Sequence, residues 1–134
     1  MAWENLPSTN TPLNATNLNK ITDSGSNANG KYIKFQDGTL IQWNQNTVQD
    51  QALATQYGNT AIYFGTRDIT LPVDFKDTDY TMTCGEAIWG TGGSWGSCMN
   101  RISKSSARLI FYDMFERASG TSFHYSWLAI GKWK

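Results

Sequence analysis

One histidine, two cysteines, three prolines and no surplus of either charge leave this chain short of the groups that most enzymes and nucleic-acid binders depend on. A nucleophile triad needs a histidine, and His124 is the single one. It lies between Phe123 and Tyr125 in an alternating pattern, where a strand histidine or a surface hydrogen-bonder is the ordinary reading. Zinc needs three or four closely spaced ligands, and Cys84, Cys98 and His124 are scattered, so neither metal nor cofactor is expected. Lys plus Arg equals Asp plus Glu at 11 each, interspersed, without the basic stripe that phosphate backbones demand; nucleic acid is not an expected partner. No apolar run approaches the ~20 residues of a bilayer span, so membrane insertion is not expected either. Met1 to Asn10 lacks the basic start and apolar stretch of a secretory signal. Reduced thiols buried as small hydrophobes are therefore the preferred reading of Cys84 and Cys98, with a disulfide left open. The Gly-rich run Gly90 to Ser97 lacks the Gly-Lys-Ser/Thr ending of a phosphate loop.

What is present is aromatic. Six each of Trp, Tyr and Phe, within 40% apolar residues over 134 positions, suffice for one folded domain. Residues 1–30 differ in composition, being rich in Asn, Thr and Ser, and read as a connecting segment. Thr11 suits an N-cap and Pro12 the first helical position, and Leu13, Leu18 and Ile21 then share one side of a short helix. Such a helix is unstable alone and must be covered, by copies of itself or by its own domain. Ser24 to Gly30 reads as a flexible joint.

From residue 31 to 134 the pattern is β. Tyr32–Phe35 and Thr39–Trp43 flank Gln36-Asp37-Gly38, a hairpin signal. A three-residue loop with Gly38 in the left-handed position pairs Ile33 with Ile41 and Phe35 with Thr39. It places Ile33, Phe35, Ile41 and Trp43 on one face and Tyr32, Lys34, Leu40 and Gln42 on the other. Further strands are expected at Ala61–Phe64, Asp68–Leu71, Tyr80–Cys84, Gly96–Ile102, Arg108–Phe115 and Thr121–Trp133. Their number and spacing predict an all-β, antiparallel sandwich or jelly-roll-like domain. Arg108–Phe115 and Phe123–Trp133 carry large apolar groups on both faces, which implies a contact with another subunit.

Several stretches resemble the carboxy-terminal head domain of bacteriophage tail fibres and receptor-binding proteins of the Gram-positive phage or prophage type. Trp3 with TPLNATNLNKI, Thr11 to Ile21, is similar to the shoulder segment of such proteins. GKYIKFQDGTLIQW, Gly30 to Trp43, resembles the opening of the distal fibre domain, and WLAIGKWK, Trp127 to Lys134, its closing strand. LPVDFKDTDYTMTC, Leu71 to Cys84, is similar to a further family segment. The resemblance spans nearly the whole chain and implies a homotrimeric β-rich tip at the end of a virion tail, assembled in the bacterial host cytoplasm and joined to the rest of the tail through residues 1–30. It implies adhesion to a host cell-wall or surface saccharide. Departures centre on Ala87–Asn100 and Arg117–His124, where such tips vary, so the receptor does not carry over.

The residues themselves add a candidate platform. Sugar rings present apolar faces to aromatic side chains and hydroxyls to Asp, Asn, Glu and Arg. Trp43, Trp127 and Trp133 sit within strand patterns and are expected in the core. Trp89 and Trp95 flank the Gly-rich loop and are candidate stacking residues; Asp113, Glu116, Arg117 and His124 are their candidate polar partners. Asp113 and Glu116 also admit a glycosidase pair, but solvated or ion-paired carboxylates are the preferred reading. The expected function is thus non-catalytic adhesion; a glycan depolymerase and a purely structural trimerisation cap are the alternatives.

Overall fold

The computed structural model describes residues 19–90 and 93–134, and all regular structure within them is β. The expected helix lies outside the described residues up to Leu18, and its last position, Ile21, opens a strand. Nine strands follow one another: β1 (Ile21–Asn27), β2 (Gly30–Phe35), β3 (Thr39–Val48), β4 (Thr55–Gln56), β5 (Tyr63–Thr70), β6 (Thr81–Trp89), β7 (Ser94–Ser103), β8 (Ser106–Asp113) and β9 (Phe123–Lys132). They form a five-stranded sheet in the order β1-β2-β3-β9-β6 and a four-stranded sheet in the order β4-β5-β8-β7, with every pairing antiparallel.

The β2–β3 hairpin takes the expected register. Ile33 pairs with Ile41 and Lys34 with Leu40, and Gly38 closes the loop at a φ of 91°. Alternation then decides what faces inward. Leu40 and Gln42 are fully buried, whereas Ile33, Phe35, Ile41 and Trp43 lie half-buried on the outer side of the sheet. Trp43 is therefore not a core residue. Trp127 is, and Trp133 packs at the core's edge, its indole N–H donating to the Phe35 carbonyl at 3.0 Å.

The segment expected as a flexible joint is instead the β1–β2 hairpin. Its exposed Ser, Gly and Asp positions satisfy their backbone against β2 and lie at the sheet's edge, where polar strands are tolerated. Tyr32 packs against the bare Cα of Gly25, and the Asn27 amide donates to the Pro72 carbonyl at 2.8 Å. Two strands expected around residues 61–71 are one, β5. It passes unbroken through Gly65, whose inner side is occupied by the Ala52 carbonyl crossing beneath it.

The core fills the space between the sheets with Leu40, Trp89, Leu109, Phe111, Phe123, Tyr125 and Trp127 among others; the Phe111 and Phe123 rings meet edge to face at 4.8 Å. Gln42, fully buried, clasps Val73: its amide donates to the Val73 carbonyl at 3.0 Å and its oxygen accepts the Val73 N–H at 2.9 Å. That pins the connection in which Phe75 and Tyr80 stack at 4.4 Å. β6 and β7, each the last strand of its sheet, both carry bulges, between Cys84 and Ala87 and at two places between Cys98 and Ser103. Cys84 and Cys98 are free and half-buried thiols. Burial, and secondarily the neighbouring Cys98, pushes the Cys84 thiol up to about 11.

A candidate ligand-binding face

The two ends of the sandwich differ. One gathers Phe35, Thr39, Ser106 and Lys132, together with Ile21, the first residue of β1. The other gathers Val48, Tyr63, Trp89, Ser94, Asp113 and Phe123, and hence the connections 49–54, 57–62 and 114–122. All six candidate site residues fall at or beside this second end, but they point in three directions.

Trp89 points inward. It is 4% exposed and packs on Phe123 at 5.7 Å, so it is a core residue and not a stacking platform. The strand alternation that exposes Ile88 buries Trp89. Asp113 is also inward, 1% exposed, and is held rather than solvated. One carboxylate oxygen accepts from the Ser94 hydroxyl at 2.7 Å and from Arg117 Nε at 3.1 Å; the other accepts the Phe115 N–H at 2.9 Å. Burial alone would raise its pKa, but these three donors and the guanidinium charge outweigh it and hold the carboxyl below its ordinary value. Arg117 is thereby committed, and its backbone bridges Leu53. Both residues order the end loops. Glu116 is exposed in the loop between β8 and β9. His124 is exposed on the opposite side of the molecule, on the outer face of the five-stranded sheet, its Nδ1 2.7 Å from the Thr47 hydroxyl.

Trp95 alone of the six presents an exposed ring on the four-stranded sheet. It is 42% exposed on the outer face of β7 and lies nearly parallel to Tyr112 of β8 at 5.7 Å. Register extends the row: Trp95 pairs with Tyr112, Tyr112 with Phe64, and Phe64 with Thr55. Tyr57, 53% exposed, stands edge-on against Phe64 at 5.8 Å and Tyr112 at 6.2 Å. Its loop is built for this. The Tyr57 carbonyl accepts from the Thr60 hydroxyl at 2.6 Å, its N–H donates to the Ile62 carbonyl at 2.8 Å, and Gly58 takes a φ of 60°. Tyr57, Phe64 and Tyr112 were not among the sequence candidates. The signal for Phe64 and Tyr112 was the aromatic at an outward strand position, visible only once the strands are set side by side; Tyr57 joins them from a loop.

The two outer faces differ in chemistry. The four-stranded sheet shows aromatics beside Thr55, Thr66 and Ser97, with one charged pair among its outward positions, the bidentate Arg108–Asp68 at 2.6 and 2.8 Å. The five-stranded sheet shows a mainly aliphatic patch: Ile33, Ile41 and Ile130 share one row, Trp43 and Leu128 the next. Leu128 is 41% and Ile130 44% exposed. Among the described residues no group of three or more His, Cys, Asp or Glu is placed to hold a metal ion.

The chain matches no protein-family model, and no curated protein is similar to it in sequence. Two solved structures share its fold. One is the fibre of the P. aeruginosa R1 pyocin, comprising C-terminal residues 323–701; the other is an N-truncated R1-type pyocin tail fibre. Each superposes with a TM-score of 0.52 at 18% identity over 81% of this chain. The chain spans 28% of the first and 84% of the second. The sandwich is thus a fold also found in the R1 pyocin fibre.

Proposed function

We propose that this chain is the receptor-binding tip of a phage tail fibre, adhering to a host-surface saccharide without catalysis. The observation that carries the reading is the outward row of aromatics near the end opposite Ile21, half-buried at Tyr112 and Phe64 on the sheet and exposed at Trp95 and at Tyr57 in the adjoining loop. A segment preceding β1 would fasten the domain to the tail at one end and leave the aromatic-bearing end facing outward. The fold common to pyocin tail fibres supports the same placement at a virion tail. Assignment to a Gram-positive phage rests on the shoulder-like segment Thr11 to Ile21 alone.

Adhesion is preferred to depolymerisation because Asp113, one of the two candidate carboxylates, is turned inward and held by three donors below its ordinary pKa. A glycosidase acid needs the opposite shift. Homotrimerisation belongs to the same proposal. The aliphatic patch of Ile33, Ile41, Leu128 and Ile130 offers a surface for self-contact, and three weak sugar sites on one particle gain avidity. The test combines sedimentation of the purified chain with binding to host cell-wall polysaccharide. A trimer that binds, with binding lost in Trp95→Ala and trimerisation lost in Leu128→Glu, is the expected result. A monomer that binds no envelope preparation refutes the proposal.

A further inference from the structure

We infer that the ligand of the Trp95 row is an uncharged saccharide at least two sugar units long, lying across the strands of the four-stranded sheet; this rests on the adhesin reading above. The row is set by register, crossing from Phe64 on β5 through Tyr112 on β8 to Trp95 on β7. Two interstrand spacings make it about 10 Å long, more than one pyranose ring covers. The aromatic surface is therefore elongated, and it runs perpendicular to the strands because aromatics occupy paired positions rather than successive ones on a single strand.

Charge selects the class. A uronic acid, sialic acid or phosphate-bearing glycan calls for a cation with free donors, since a desolvated anion without one is unfavourable. The outward positions beside the row are Thr55, Thr66, the buried Ile110 and Ser97, uncharged throughout, with three hydroxyls that suit neutral sugar hydroxyls. The nearest outward cation, Arg108, lies four residues along β8 from Tyr112, about 13 Å away. Both its Nε and its Nη2 are already given to Asp68. Arg117, near the same end, gives its Nε to Asp113 and lies over the Phe115 ring, and Arg67 gives its Nη2 to Asp50 at 2.6 Å. Tyr57 stands on the row edge-on, which gives the surface a wall as well as a floor.

The experiment titrates the full chain, by calorimetry or Trp fluorescence, with neutral glucose, galactose and mannose oligomers of one to four units. The same series bearing a uronic acid or phosphate is run beside it. A neutral tri- or tetrasaccharide should bind more than about tenfold tighter than its monosaccharide. That affinity should be unchanged as salt rises from about 0.05 to 0.5 M. It should fall about tenfold or more in Trp95→Ala and in Tyr57→Ala, with melting temperatures near that of the parent. Binding confined to the charged series, loss of affinity with salt, monosaccharides binding as tightly as oligomers, or indifference to both substitutions overturns the inference. If host envelope is bound while every neutral oligomer fails, the ligand class is wrong and the adhesin reading stands; if nothing saccharide-bearing is bound, the adhesin reading itself falls.

Discussion

Replacing Asp113 with asparagine keeps the shape of the side chain and removes one acceptor and the charge. Whichever way the amide turns, its NH2 meets at least one of three donors, the Ser94 hydroxyl and Arg117 Nε on one side or the Phe115 N–H on the other. A buried donor left unpaired costs about 1–3 kcal/mol, and bonds to a neutral amide are worth roughly 1 kcal/mol less than bonds to a carboxylate. The sum is about 2–4 kcal/mol, a large part of the 5–15 kcal/mol typical of a domain. Urea unfolding of both proteins at neutral pH reads it directly. The pH dependence supplies a second check. Because the folded carboxyl sits below its ordinary value, its contribution is complete above the unfolded pKa of about 3.9 and fades as pH falls through the lower folded value. The gap between parent and variant should therefore close as the pH drops below about 4. A difference under about 0.5 kcal/mol at neutral pH, or one that persists unchanged to about pH 3, would refute the account of this cluster.

Three further outcomes follow from packing. Trp89→Ala should cost about 3–5 kcal/mol by opening the core, while Trp95→Ala should cost about 1 kcal/mol or less; equal losses in thermal unfolding would contradict the assignment of one ring inside and one outside. Gly65→Ala should destabilise by about 1–3 kcal/mol or more, because its new methyl meets the Ala52 backbone carbonyl and not a movable side chain; a variant as stable as the parent sinks that contact. Cys84, with its thiol raised to about 11, should react slowly with a maleimide near neutral pH and rapidly once the chain is unfolded. Labelling at the same rate in both states would show the thiol to be neither buried nor suppressed.

The β2–β3 hairpin was legible because two local signals agreed: a loop whose glycine takes positive φ, and an alternation that sorts only one way in a three-residue loop. The β1 strand was not, since Asp-Ser-Gly-Ser has little strand preference and is held by its neighbour β2. Of the site, Trp95 was legible as an aromatic beside glycines. Trp89 carried the same local signal but is buried by the strand alternation that exposes Ile88. Tyr57, Phe64 and Tyr112 are separated by up to 55 positions (112 − 57) and become neighbours only through the β5–β8 pairing. A composite surface of this sort is a property of topology.

The bulges of β6 and β7 bear on how such a molecule survives its own manufacture. A straight free margin on each sheet would invite a newly made chain to add itself as one more strand, and then another. Local kinks on both margins spoil that template. A chain kinked in this way along β6 and β7 has less tendency to grow edge to edge into a ribbon.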